Sequence, residues 1–193
     1  MKPFRPFSYD VIVADPPWRY ELRSEEGEAK APQAYYDCMP TADIKALKLD
    51  GIPVADLARR DATLFLWATG AMLPDALEVM KAWGFRYCSL MGWRKITKNG
   101  KPSMGPGYVV RTKHEPILIG TMGDGPGKLQ LPSLFDAVFD GERREHSRKP
   151  EAFYDLILEK FPKAYRLDLF ARATRQGFDS WGNETTKFDR SAA

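Results

Sequence analysis

The most constraining stretch of this sequence is Tyr9-Asp10-Val11-Ile12-Val13-Ala14, a short apolar, β-branched run that ends abruptly in Asp15-Pro16-Pro17-Trp18. Such a run describes a buried strand, and the two prolines stop it and open a loop at its carboxyl end. A strand of this kind needs helices against the faces of its sheet, so the rest of the chain must supply them. Ala62-Thr63-Leu64-Phe65-Leu66-Trp67-Ala68 reads as a second buried strand. Leu73, Ala76, Leu77 and Met80 then recur at helical spacing, ending near Gly84. Further strands are predicted at Phe85 to Trp93 and Pro116 to Ile119, with a final one at Arg166 to Phe170. Helical spacing also marks Thr41 to Leu49, and Pro150 starts a helix carrying Phe153, Leu156 and Ile157. This alternation predicts an α/β fold around a mainly parallel sheet. With 193 residues and 44% hydrophobic content, residues 1–193 are expected to form one domain.

Several function classes fall away on composition. Cys38 and Cys88 are the only cysteines and lie far apart, so neither a disulfide framework nor a zinc site is expected, and no metal is assigned. Both read as core or loop thiols. No stretch reaches the ~20 apolar residues of a membrane span, and the first ten residues lack a signal-peptide core, so a cytoplasmic protein without membrane contact is expected. Gly123-Asp124-Gly125-Pro126-Gly127-Lys128 lacks the spacing and the Ser or Thr of a phosphate loop. His146 precedes a helix start, where a backbone hydrogen bond accounts for it. Trp67, Trp83 and Trp93 lie in strand or helix patterns and are assigned to the core.

The net charge of +3 allows an anionic partner without demanding one, so the distribution of charge decides. Arg94, Lys95, Lys98, Lys101, Arg111 and Lys113 fall among glycines and prolines, and Arg143, Arg144, Arg148 and Lys149 form a second basic run. Each is either a solvated loop or a set of phosphate contacts beside the site.

The motif itself suits amine methylation of a base. An exocyclic amine of adenine is a poor nucleophile, because its lone pair is delocalised into the ring, and acceptors must draw on its protons. Asp15 supplies a carboxylate and Pro16 a carbonyl, while Pro16 and Pro17 fix φ and remove two competing backbone donors. Trp18 offers a face for base stacking, and the bland alternative is a Pro-Pro turn with Trp18 packed below it. Open α/β sheets bind ligands beyond the carboxyl ends of their strands, where this motif is expected.

In order along the chain, Val11 to Trp18, Tyr36-Asp37-Cys38-Met39, Leu64-Phe65-Leu66-Trp67, His146-Ser147-Arg148-Lys149-Pro150 and Trp181-Gly182-Asn183-Glu184 resemble the adenine N6-methyltransferases related to the catalytic subunit of the eukaryotic messenger-RNA adenosine methyltransferase, with their bacterial and phage relatives. The resemblance implies a Rossmann-like fold in permuted order, with the catalytic strand first and the cofactor strand last. It also implies S-adenosyl-L-methionine as cofactor. Asp15 and Pro16 match its catalytic positions, within the motif that includes Pro17 and Trp18. Tyr36 matches the position beside the target adenosine, and Lys113 a lysine near the cofactor's carboxylate. Asp168 takes the place of the acidic residue that binds cofactor hydroxyls, and Arg172, Asn183 and Glu184 align with cofactor-contacting positions. Thr174 and Arg175 fall at two more such positions, but where the eukaryotic enzyme has histidine and asparagine. No counterpart is expected here for the upstream segment that contacts cofactor adenine there.

The expectation is therefore methylation of adenine N6 in nucleic acid, DNA favoured, with Trp18, Tyr36, Lys98, Lys101 and Arg111 toward the polymer. The alternatives are RNA adenine methylation or a non-catalytic nucleic-acid-binding subunit. A homodimer is compatible with so small a domain.

Overall fold

A computed structural model describes residues 3–20, 38–105, 109–124, 135–145 and 148–189. In chain order the elements are β1 (Tyr9–Ala14), α1 (Thr41–Lys45), β2 (Lys48–Leu49), β3 (Ile52–Pro53), α2 (Val54–Leu57), β4 (Ala58–Trp67), α3 (Leu73–Ala82), β5 (Arg86–Ile96), β6 (His114–Thr121), β7 (Val138–Glu142), α4 (Glu151–Lys160), β8 (Arg166–Leu169) and β9 (Asp179–Trp181). A short 3-10 turn (Gly70–Met72) leads into α3.

Seven strands form one sheet in the order β7-β5-β6-β4-β1-β8-β9. The pairs β1–β4, β1–β8, β8–β9 and β5–β7 are parallel, whereas β6 runs antiparallel to both β4 and β5. The mainly parallel α/β expectation holds, with β6 as the reversed strand. Two strands of this sheet escaped the sequence reading. β7 and β9 are short and carry Asp, Ser or Gly instead of a β-branched run, so Arg166 to Phe170 is not the final strand.

Period-two alternation splits the core into two layers. Ile12, Ala14, Leu64 and Leu66 pack on one face with Ile44 of α1, Leu57 of α2 and Val79 of α3. Val11, Val13, Phe65 and Trp67 pack on the other with Met91, Trp93, Ile117 and Ile119, under Phe153 and Ile157 of α4. Trp67, Trp83 and Trp93 are core residues as expected. In α3 the apolar stripe is rotated from the predicted one: Val79 is buried and Leu77 exposed. The helix expected through Leu49 stops at Lys45, because Asp50 and Gly51 both take positive φ and close β2 onto β3 in a two-residue hairpin. Cys88 is exposed on β5 and Cys38 half-buried. Among the described residues no helix is long and apolar enough to cross a membrane.

Candidate active site

The α4-side alternation continues past the apolar residues to the edge where β1, β4 and β5 end and β6 begins. Val11 and Val13 are followed at the same spacing by Asp15, Trp93 by Lys95, and Ile117 is preceded by Glu115. Three charged side chains thus extend one apolar face, and Lys149, just ahead of α4, completes the row. Its Nζ lies 3.0 Å from Asp15 Oδ1 and 3.0 Å from Glu115 Oε2, and Lys95 Nζ donates to Glu115 Oε1. The charges alternate: Lys95, Glu115, Lys149, Asp15. Lys149 also sits 4.9 Å above the Trp67 ring and is 9% exposed, so it is a buried ammonium shared between two carboxylates.

Backbone packing fixes that lysine. Trp93 Nε1 donates to Gly141 O at 2.8 Å, and a Cβ at Gly141 would come 2.5 Å from Trp93 Nε1 and 2.8 Å from Pro150 Cβ. Only glycine lets Pro150, and Lys149 with it, approach the strand ends this closely.

The row is electrostatically asymmetric. Burial pushes Glu115 up, but Lys149 and Lys95 outweigh it and hold its carboxyl at about 2. Asp15 goes the other way. Burial raises it above the ordinary carboxylate range, and Lys149, which Glu115 shares, recovers only part of that cost. Burial alone would lower Lys149, yet the two carboxylates reverse this and keep it an ammonium.

Around the motif, Trp18 N–H donates to Pro16 O at 2.9 Å and Met39 N–H to Pro17 O at 2.7 Å. The Pro16 carbonyl is therefore not free of backbone donors, as the sequence reading had it, but one lone pair remains for a substrate proton. Trp18 is a clear correction. Its ring is 5% exposed and its Nε1 donates to Trp67 O at 3.1 Å, so the stacking face expected for a base is turned into the core. The indole instead ties the motif to β4.

Asp168 lies on β8 beside Val13 and is 1% exposed. Arg175 Nη1 holds its Oδ2 at 3.0 Å while Arg175 Nε reaches Glu151 at 3.0 Å, and the guanidinium lies 3.5 Å from the Tyr154 ring centroid. Asp168 thus faces a protein cation instead of offering a free carboxylate at the strand end. Burial raises its carboxyl to about 7 despite Arg175, with Asp15 adding to the rise. A carboxyl that binds its proton more tightly when folded stabilises the fold most below its ordinary 3.8, and that contribution is lost as pH rises through about 7. Thermal unfolding should therefore show stability falling from pH 5 to pH 8, with a shallower fall in Asp168→Asn. Equal slopes would place the titration elsewhere.

The loop after β8 opens with Phe170 at a φ of 62°, and a Cβ on Gly182 would meet the Ala171 O at 2.6 Å, so β9 ends hard against this loop. Arg172 pairs with Glu184 at 3.0 Å and stacks 4.9 Å over Phe188. Thr174 Oγ1 and N–H both donate to Asp189, at 2.8 and 2.6 Å. Asn183 is exposed.

Among the basic residues, Lys98, Lys101, Arg111 and Lys113 are exposed. Arg94 is exposed as well but pairs with Asp140 at the surface, while Arg144 and Arg148 are engaged with Glu151 and Glu145 and Lys95 and Lys149 with the buried row, so half of the expected phosphate contacts already have a carboxylate partner within the chain. Lys113 is a rim residue; the ammonium against Asp15 is Lys149. Tyr36 and His146 lie outside the described residues. Lys149, Glu115 and Lys95 are the site residues that sequence reasoning missed.

A sheet covered on both faces, with Asp-Pro-Pro-Trp at the carboxyl end of the interior strand β1, defines a Rossmann-like methyltransferase. Residues 9–184 match the MT-A70 family model, and the chain belongs to the MT-A70 family. It is 29% identical over 192 residues to the type II methyltransferase M.MunI of Mycoplasma sp, covering 91% of this chain and 77% of that one. It is 30% identical over 190 residues to the N6-methyladenosine RNA methyltransferase MTA1 of Pyricularia oryzae, covering 94% of this chain and 48% of the relative. With the N(6)-adenine-specific methyltransferase METTL4 of Homo sapiens it shares 27% identity, covering 94% of this chain and 38% of the relative. The chain thus spans most of the first and less than half of the other two. The expected enzyme class, an adenine N6-methyltransferase, fits these names: the second and third carry the N6 chemistry and the first is a methyltransferase.

Proposed function

We propose that this chain methylates the N6 amine of adenine in nucleic acid, with DNA the favoured polymer and S-adenosyl-L-methionine the methyl donor, and that it works in the cytoplasm. The observation that carries the reading is Asp15: a carboxylate 20% exposed at the end of the interior strand β1, beside Pro16 and backed by a buried ammonium. DNA is favoured because a relative of which this chain spans 77% is a type II methyltransferase.

The donor set suits the cofactor. The accessible edge of Asp15 matches its amino group, the Lys113 ammonium its carboxylate, and the Asn183 amide its ribose hydroxyls. Arg172, Thr174, Arg175 and Glu184 contribute by shaping the loop, since each already has a protein partner. Asp168 binds hydroxyls only after Arg175 gives way. When bound, the cofactor supplies an electrophilic methyl carbon on a sulfonium.

The chain's own residues do the rest. Asp15 Oδ and the free lone pair of Pro16 O accept the two amine hydrogens, which draws the nitrogen lone pair out of conjugation with the ring and localises it toward the incoming methyl group. Positive charge then develops on that nitrogen, and Asp15, with its carboxyl already raised by burial, is suited to take the released proton. Lys149 opposes the rise and so favours the charged form of that carboxyl.

The deciding experiment incubates DNA and RNA with isotopically labelled cofactor and identifies the labelled nucleoside by mass spectrometry. N6-methyldeoxyadenosine is expected; label in adenosine alone would turn the reading to RNA, and no labelled adenine would end it. The exposed lysines reach the polymer: Lys98→Ala with Lys101→Ala should weaken oligonucleotide binding and flatten its salt dependence by roughly two phosphate contacts, leaving cofactor affinity unchanged. The opposite pattern would move that loop to the cofactor.

A further inference from the structure

We propose that Lys95 is a positioning residue for this reaction: by neutralising Glu115, it frees Lys149 to hold Asp15 oriented and ionised. The inference rests on the methyltransferase reading for its kinetic arm alone.

Lys95 stood in the sequence as one of several basic loop residues, but its surroundings separate it from Lys98 and Lys101. Its side chain is 22% exposed, its ammonium lies 5.0 Å from the Trp93 ring centroid, and its Nζ is committed to Glu115. Its backbone is pinned on both sides: Lys95 N–H donates to Lys113 O at 2.9 Å, and Ser103 N–H donates to Lys95 O at 2.7 Å. A lysine so held serves the interior.

The row explains what it does there. Two ammoniums and two carboxylates alternate, and the row is neutral as a whole. Without Lys95, a single ammonium serves two buried carboxylates, and Glu115, with Lys149 3.0 Å from its Oε2, competes directly with Asp15 for it. Lys149 is then drawn toward Glu115, and Asp15 loses both its anchor and its counter-charge. The other groups that face Asp15 do not replace it. Arg172, beyond β8, is engaged by Glu184, while Asp168 on β8 is a carboxyl and Tyr154 on α4 a phenol whose proton burial holds in place. Loss of Lys95 therefore makes Asp15 harder to ionise, an effect that alkaline pH reverses.

The test compares wild type, Lys95→Met and Lys95→Arg from pH 6 to 9, at saturating cofactor, on an adenine-containing oligonucleotide. In Lys95→Met, kcat is expected to be roughly tenfold lower at pH 6.5 but within about twofold of wild type at pH 9, with KM for the oligonucleotide unchanged and Lys95→Arg following wild type. In parallel, the Asp15 carboxyl, followed by carbon-13 NMR, should titrate at higher pH in Lys95→Met. Lys95→Gln carries the same comparison if the methionine variant does not fold. A loss that is equal at every pH, a loss confined to KM, or an unmoved Asp15 titration would overturn the proposal. If wild type methylates no adenine, the functional reading fails, and the Asp15 titration still decides the role of Lys95.

Discussion

Asp15→Ala should fold, bind cofactor-free substrate much as wild type does, and turn over at least ~10²-fold more slowly at saturating cofactor. Folding should survive because the substitution leaves Lys149 with Glu115 as a partner 3.0 Å away, so no cation is stranded. Base affinity should change little, since an amine proton exchanges one acceptor for water in the ground state. The transition state is different. Charge grows on the adenine nitrogen as the new bond forms, and the carboxylate that would offset it is absent, a difference of about 2.7 kcal/mol for a hundredfold effect. Cofactor affinity must be measured on its own and turnover compared at saturation, because the same carboxylate is also assigned to the cofactor's amino group. Turnover near wild type in a folded, cofactor-saturated variant would reduce Asp15-Pro16-Pro17-Trp18 to a turn.

The second large effect is on stability. Lys149→Met keeps a side chain of similar length over Trp67 but removes the ammonium that bridges Asp15 and Glu115. Breaking a buried ion pair by deleting one partner typically costs ~3–5 kcal/mol, because the survivor stays buried and uncompensated. For a chain of this length that is roughly 10 °C in Tm. The pH dependence identifies the cause. The abandoned carboxyls titrate higher in the folded variant than in its unfolded chain, so the variant regains stability as pH falls and they take up protons. Chemical unfolding should accordingly show the gap to wild type wide at pH 8 and narrower at pH 5. A loss under ~1 kcal/mol, or a gap that widens toward acid, would show that Lys149 does not compensate these charges.

The Asp-Pro-Pro-Trp motif and the frame that presents it were legible in sequence for one reason: both depend on short-range patterns. Tyr9–Ala14 and Ala62–Ala68 announce themselves by apolar continuity, and the prolines of the motif mark where the first must end. Asp50-Gly51 carried an equally local hairpin signal that helical spacing concealed. What stayed hidden is what joins distant segments. Lys95, Glu115 and Lys149 are separated by 20 and 34 positions, and each stands among charged or proline-rich neighbours that read as solvated. Nothing local distinguishes Lys149 from Arg148, although one lies under the motif and the other reaches Glu145 near the surface. A partial signal existed, since extending the alternation of Val11-Val13, Trp93 and Ile117 by one step reaches Asp15, Lys95 and Glu115. Trp18 failed differently: an aromatic residue beside a catalytic carboxylate suggests a platform, and only the Trp67 carbonyl reveals that its ring is a strut.

The adjacency of β1 and β8 has a consequence for how the molecule comes into being. The two strands pair directly, and the Tyr165 N–H that binds Asp10 Oδ2 spans 155 positions of chain. At ribosomal rates of ~5–20 residues per second, β1 therefore waits on the order of ten seconds or more for one of its two neighbours to be made. Until then one side of β1 is an open ladder of backbone donors and acceptors, ready to pair with any strand that arrives first. Sheet closure and completion of the catalytic edge are thus late, long-range events, and folding should be slow for a chain of this length. Synthesis at low temperature or with chaperones that shield β1 would favour the native pairing over aggregation.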